Sequence, residues 1–384
     1  MKVHLNFGAV TAHHSLYDEL IQAPPEGIEY IIHGLDTKKV PAPVLTVYKT
    51  VKKVAGRFSS TLLRRAIVAT APKADLIQFC DHLENSSLPF VTDFEHAWSF
   101  LPARAVNGPL TKKLFDDNRF VVQKMLKQNT CKFLLNWTDK GKESALRAYG
   151  YEGLEEKFIK VPLAIQIPAN HTPIPHETFN LLFLGTSNLK GSWNFYYRGG
   201  VRMLRVFQRF AKRKKDVKLI ITGEIPEAEK SRTRGLPIIE AGLLSKEDLE
   251  QTFRTSDALF YPSYCTPGLA FLEAMRYHLP IITTDSWANP EIVQDAGLIC
   301  NFSAFKCEGP YGILPVMEDY LPFEKKEIDQ NLENSLLEAL EKCYSDRKTG
   351  QKFGEAGFAK VFEGPFSIKS RNALLTKVYQ KALE

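Results

Sequence analysis

No stretch of this 384-residue chain approaches the roughly 18 consecutive apolar residues of a membrane-spanning helix. The opening segment, MKVHLNFGAV, leads directly into a strand and lacks the apolar core and cleavage site of a secretory signal. Cysteine is sparse and scattered. Cys80, Cys131, Cys265, Cys300, Cys307 and Cys343 form no C-x-x-C pair. Free thiols in a reducing compartment are therefore expected, with no structural metal, and the cytoplasm is the expected location. Internal repeats and low-complexity tracts are missing. Charge of one sign is also in short supply: the net charge is +6 and the pI about 8.8, spread over short clusters such as Lys52–Lys53, Arg64–Arg65, Lys112–Lys113 and Lys212–Lys215. A nucleic-acid surface calls for one concentrated basic stripe, so nucleic acid is not expected as a partner. Phosphorylated small molecules and an anionic membrane surface suit the same charge.

What is present is a folded α/β pattern. Hydrophobic residues make up 44% of the chain and aromatics 11%, and 384 residues exceed what one core normally serves, so two domains are expected. In the second half, apolar runs at Leu181–Leu184, Leu219–Ile221, Ile238–Ile239, Ala258–Tyr261, Ile281–Thr283 and Leu298–Cys300 alternate with helical patterns near 200–213, 245–255, 268–278 and 288–294. That alternation predicts a parallel sheet wound on both faces, with ligands beyond the carboxyl ends of the strands. The first half is similar but less regular, with predicted strands at Val3–Phe7, Asp75–Phe79, Pro89–Asp93 and Lys132–Asn136 and a predicted helix over 45–68. Between the halves, VPLAIQIPANHTPIPHETFN holds four prolines, which fix φ and block strand pairing. The expected division is a Rossmann-like domain over 1–165, a linker over 166–179, a second Rossmann-like domain over 180–365 and a closing helix over 366–384.

The stretch DALFYPSYCTPGLAFLEAMRYHLPIITTDSWANPEIVQDAGLI carries the most chemistry. Glu273 is the one acid in a predicted helix that is otherwise mostly apolar on every side, and a carboxylate there needs a partner to offset its lost hydration. Hydroxyl donors of a ligand would serve. The preceding turn, Ser263 to Gly268, leaves N–H groups at a helix start, which suits phosphate. Phosphate next to a hydroxyl-bearing ring describes a nucleotide.

The same stretch, in register with its surroundings, resembles the retaining glycosyltransferases of family four, which use the GT-B fold. FLGTSNLKGSWNFYYRGG with VRMLRVFQRFAKR is similar to the family's phosphate-binding loop and first helix, and KLIITGEIP to its second strand and turn. IIEAGLLSKEDLEQTFRTSDALFYPS resembles the base-holding stretch, and CTPGLAFLEAMRYHLPIITTD the signature with two glutamates eight positions apart. SIKSRNALLTKVYQKAL resembles the closing helix, which in that fold crosses back onto the first domain. The resemblance covers roughly 175–384 and implies two Rossmann-like domains facing a central cleft. By position, Glu273 takes the ribose hydroxyls and Arg198 the donor diphosphate, where an arginine can grip phosphate oxygens in a bidentate way. Gly268 and Leu269 give N–H groups near the phosphates, with Thr266 and Pro267 in the same turn, and Leu243 and Leu244 flank the base.

Two departures stand out. The first glutamate of the signature falls on Cys265, a weak hydrogen-bond partner that is largely protonated near neutrality. The arginine expected after Gly185 is Thr186, with Lys190 as a candidate to supply its charge. On the acceptor side, PFVTDFEHAWSF puts Asp93, Glu95 and His96 at a strand end, and the count leaves open whether Glu95 or His96 takes the place of the family's histidine. Gly8 marks the turn after the first strand. The resemblance implies transfer of a sugar from a UDP- or GDP-linked donor to a glycan, lipid-linked or small-molecule acceptor, with retention, no cofactor and no metal. An epimerase or hydrolase on the same scaffold, or a partner subunit with reduced catalysis, is the competing reading. The basic amphipathic stretch Lys49 to Arg65 is the candidate for peripheral membrane contact.

Overall fold

Runs such as Leu76–Cys80 and Phe90–Phe94 bury every side chain, which is what strands covered by helices on both faces require. The computed structural model describes residues 1–7, 15–32, 73–101, 111–185, 193–266, 268–302, 321, 324 and 329–384. It divides into two compact units, one from Met1–Pro162 with Arg371–Glu384, the other from Leu163–Glu308 with Met317–Ser370.

In the first unit, strands β1 (Lys2–Asn6), β2 (Glu29–Ile32), β3 (Leu76–Cys80), β4 (Phe90–Phe94), β5 (Cys131–Asn136) and β6 (Phe158–Lys160) form one parallel sheet in the order β2-β1-β3-β4-β5-β6. Helices α1 (Ser15–Gln22), α2 (Thr111–Leu126) and α3 (Asp139–Tyr149) accompany it. Thr138 caps α3 by accepting from the Gly141 N–H, and the chain leaves that helix at Gly150, with φ of 96°. The order reverses between β1 and β3, so a crevice opens at the carboxyl ends of those two strands.

The second unit holds β7 (Phe179–Phe183), α4 (Trp193–Tyr197), α5 (Gly200–Arg213), β8 (Val217–Thr222), β9 (Ile238–Gly242), α6 (Lys246–Arg254) and β10 (Ala258–Tyr261). It continues with α7 (Gly268–Arg276), β11 (Ile281–Thr284), α8 (Asn289–Val293), β12 (Gly297–Cys300), α9 (Gln330–Ser345) and α10 (Arg347–Phe362). Its parallel sheet runs β12-β11-β10-β7-β8-β9. The switch point therefore lies between β7 and β10. Leu181, Leu182, Leu259, Phe260, Ile281 and Ile282 fill the interior.

The last helix, α11 (Ile368–Leu383), belongs to the first unit from Arg371 onward. The Tyr379 hydroxyl donates to Gln78 Oε1 and lies 3.0 Å from the Tyr30 hydroxyl, while Arg371 donates to the Ala23 carbonyl. The observed elements go beyond the periodicity at the edges of the first sheet. β2 and β6 are four and three residues long and partly exposed, too short and too mixed to signal themselves. The predicted helix over 45–68 and the membrane candidate within it lie outside the described residues.

Candidate functional site

The second unit builds its site where β7 and β10 end. Gly199, with φ of 75°, precedes α5 in the left-handed region, and a Cβ there would stand 2.0 Å from the Pro262 carbonyl oxygen. Only glycine lets the start of α5 come this close to the end of β10. That approach brings Arg198 against Tyr261. The guanidinium lies 5.3 Å from the Tyr261 ring centroid and hydrogen-bonds its hydroxyl, while Arg198 Nε donates to Asn194 Oδ1 at 3.0 Å. Tyr261 is buried, and burial pushes its phenol pKa up; Arg198 opposes the rise, and the charges of Cys265 and Glu273 reinforce it. One aromatic ring thus marks where Arg198, Cys265 and Glu273 come together.

The acid-bearing helix is not buried all round, contrary to the sequence expectation. Gly268, Leu269, Ala270, Glu273 and Arg276 of α7 are half-buried, so one helix face reaches the surface at i, i+3 and i+4 spacing. The first-turn N–H groups of α7 have no acceptor within their own helix. Cys265 is buried. Thr266 is buried as well, and its hydroxyl accepts from the Ala288 N–H at 2.9 Å. Leu243 and Leu244 follow β9, three strand positions from β10, or roughly 14 Å across the sheet. Leu243 is 73% exposed. Thr186, Lys190 and Pro267 lie outside the described residues, as does Gly8 in the first unit.

A buried ion pair that the sequence did not suggest holds this corner together. Glu324 Oε1 accepts from the N–H groups of Val201 and Arg202 at 2.9 and 3.1 Å, at the first turn of α5. Its Oε2 accepts from the Tyr264 hydroxyl at 2.7 Å and lies 3.4 Å from Arg202 Nη2, which itself donates to Tyr264 at 2.8 Å. Both charged side chains are fully buried. The α5 start, expected from resemblance to sit beside phosphate, therefore has two of its N–H groups taken by an internal carboxylate, a favourable place for negative charge.

In the first unit, Asp93 is buried at the end of β4. Its carboxylate accepts from the Tyr17 hydroxyl and Gln78 Nε2, both at 2.5 Å, and from the Asp81 N–H at 3.2 Å. Burial pushes its pKa up to about 7, against the pull of the Tyr17 and Gln78 hydrogen bonds. Asp81, at φ of 53°, is exposed at the surface, and its carboxylate accepts from Ser99 and from the Glu95 backbone. His96 is buried with Nδ1 accepting from the Trp98 N–H at 3.1 Å, which places any ring proton of the neutral form on Nε2, 4.0 Å from Glu95. Burial lowers its pKa to about 3, so it stays neutral. It caps the short 3-10 turn Ala97–Phe100, while Glu95 is half-buried beside it. Among the described residues, no cluster of three or more His, Cys, Asp or Glu side chains is arranged to hold a metal ion. No described helix is long and apolar enough to cross a membrane.

Residues 187–305, which contain Arg198, Tyr261, Cys265 and Glu273, match the family described as Glycosyl transferases group 1. The matched segment lies within a GT-B fold shared with solved structures across nearly the whole chain. Sucrose-phosphate synthase from Thermosynechococcus elongatus is 12% identical, with 99% of this chain and 98% of that chain covered and a TM-score of 0.61. Anabaena HepE in complex with UDP is 12% identical, with 99% of both chains covered and a TM-score of 0.59. The lipopolysaccharide outer core galactosyltransferase WaaB is 12% identical over 98% and 99% of the two chains, with a TM-score of 0.56. No curated protein sequence matches.

Four residues of the two sites escaped the sequence reading. Tyr261 sat in plain view as the last residue of an apolar strand, and a polar-tipped aromatic at a strand's carboxyl end is the signal that could have found it. Asp81 stood two residues past a predicted strand end. Arg202 and Glu324 gave no local signal, because they lie 122 residues apart.

Proposed function

We propose that this protein transfers a sugar from a nucleoside-diphosphate sugar to an acceptor with retention of anomeric configuration. The observation that carries this reading is the gathering of Arg198, Cys265 and Glu273 around Tyr261 at the β7/β10 switch point, within the matched segment. Arg198 grips the diphosphate together with the N–H groups at Gly268 and Leu269, where charge grows as the sugar departs. Glu273 accepts hydrogen bonds from the ribose hydroxyls, with Thr266 and Pro267 shaping the turn and Leu243 and Leu244 against the base. Thr186 and Lys190 add to the phosphate side. UDP is the first donor base to try, since HepE, on the same fold, is solved with UDP and with UDP-glucose. In this reading the phosphate charge is met by protein cations and amides without a metal, and the leaving phosphate assists attack on the same face of the sugar. The first unit takes the acceptor beside Asp93, Glu95, His96 and Gly8, and the domain limits are those of the sequence reading.

Calorimetric titration tests the donor half. Arg198→Ala should weaken UDP or GDP binding about tenfold or more while leaving nucleoside binding nearly unchanged. Glu273→Ala should weaken nucleotide and nucleoside alike. Equal losses from Arg198→Ala, or none from Glu273→Ala, would remove those roles. Cys265 favours a second reading, a nucleotide-sugar-binding subunit with little catalysis, because a buried thiol stands where the resemblance calls for a carboxylate. Robust turnover with a panel of donors and acceptors would reject it.

A further inference from the structure

The turn between β11 and α8 holds two anomalies in four residues. Trp287 has φ of 51°, a left-handed backbone that a bulky side chain adopts only when the surroundings enforce it. Three side-chain atoms in the same turn are buried with no hydrogen-bond partner among the described residues: Ser286 Oγ, Trp287 Nε1 and Asn289 Oδ1. Their residues are 5%, 8% and 0% exposed. Buried polar atoms are normally paired, and three orphans within four residues call for an explanation.

This turn is fastened to the donor turn. The Ala288 N–H donates to Thr266 Oγ1 at 2.9 Å, the Thr284 hydroxyl donates to the Ser263 carbonyl at 2.7 Å, and Ile292 of α8 stands 3.9 Å from where a Gly268 Cβ would be. The orphans comprise one donor, one acceptor and one hydroxyl that does both, and none is charged. An anion would meet the Asn289 carbonyl oxygen unfavourably, and an apolar group would leave all three unsatisfied. A neutral group with several hydroxyls satisfies them.

We propose that the Ser286–Asn289 turn is a subsite for the sugar ring of the nucleotide sugar, with the Trp287 indole N–H as its principal reader. The proposal rests on the donor reading above and adds to it the part of the protein that recognises the sugar rather than the nucleotide. It also gives the strained Trp287 backbone a role, that of fixing the indole where the ring's hydroxyls arrive. A glycosyl group bound here would sit beside Cys265 and Thr266.

The test compares nucleotides with and without a sugar by titration calorimetry, using UDP, UDP-glucose, UDP-galactose, UDP-N-acetylglucosamine, GDP and GDP-mannose. For the tightest sugar nucleotide, Trp287→Phe should reduce the affinity gained from the sugar about tenfold and leave the parent nucleotide's affinity unchanged. Ser286→Ala should act in the same direction, and it serves alone if the tryptophan variant fails to fold. In the wild-type protein, tryptophan emission should change more with the sugar nucleotide than with the nucleotide alone. An unchanged sugar increment in both variants, or equal losses for nucleotide and sugar nucleotide, overturns this subsite while leaving the donor reading standing. If neither UDP nor GDP binds the wild-type protein, the donor reading falls and the subsite with it.

Discussion

The two switch-point crevices handle buried charge in opposite ways. In the second unit, Arg202 and Glu324 are fully buried and neutralise each other, with Tyr264 and two helix N–H groups completing the set. In the first, Asp93 is buried with no cation against it among the described residues, its donors are neutral, and its pKa rises toward neutrality. One crevice is thus held by a counter-charge and the other by a proton. The Asp93 crevice should respond to pH near neutrality, whereas the Arg202–Glu324 pair is broken by removing one partner.

Breaking the counter-charge should have the larger effect. Glu324→Ala leaves the Arg202 guanidinium buried without its carboxylate and exposes two α5 N–H groups to an empty space. A loss of about 3–5 kcal/mol in urea unfolding is expected. A double replacement, Arg202→Met with Glu324→Leu, should recover most of that stability, since an apolar pair of similar volume carries no desolvation cost. A loss below about 1 kcal/mol from Glu324→Ala would show that the pair does not hold the α5 start in place.

The proton-held crevice is broken by pH instead. Below about pH 4 Asp93 is protonated in folded and unfolded chains alike, so its contribution is fully present. As pH rises toward 7 the unfolded chain ionises while the folded one keeps its proton, and stability falls. The loss is on the order of 4 kcal/mol, complete once the folded group itself ionises near pH 7. Asp93→Asn should flatten this dependence between pH 5 and 8, read from denaturation midpoints at each pH. Parallel curves for variant and wild type would assign the titration elsewhere.

The contrast also explains what could be read from the sequence. The β10–turn–α7 stretch is contiguous, so its strand, its turn and Glu273 are all visible within 20 residues. Helix α5 matched its predicted limits, 200–213, because its amphipathic period is strong. Arg202, however, shares a stripe with Arg205, Arg209 and Arg213, which reads as a solvated basic face. In the fold, Arg205 and Arg213 pair with Glu333 and Glu341 of α9, while Arg202 turns to Glu324 from a segment rich in charge. Periodicity shows that a face is polar; it does not show that one of its charges will be sealed in by a partner 122 residues away. His96 illustrates the same limit, since its backbone-capping role depends on the turn that follows it rather than on its residue type.

Leu243 offers the smallest structural effect and the sharpest separation of fold from function. At 73% exposure it contributes little to the core, so Leu243→Ser should change stability by no more than about 0.5 kcal/mol. An exposed large apolar side chain at the end of β9 has surface left to bury against a flat ring. If it flanks the base, the same substitution should weaken nucleotide binding about three- to tenfold, with UDP and uridine affected equally because the contact lies away from the phosphates. Arg198→Ala should instead discriminate UDP from uridine. Measured together, the two variants separate the base end of the site from the phosphate end. Unchanged affinity in Leu243→Ser would move the base to another part of the sheet edge without touching the Arg198–Tyr261–Glu273 cluster.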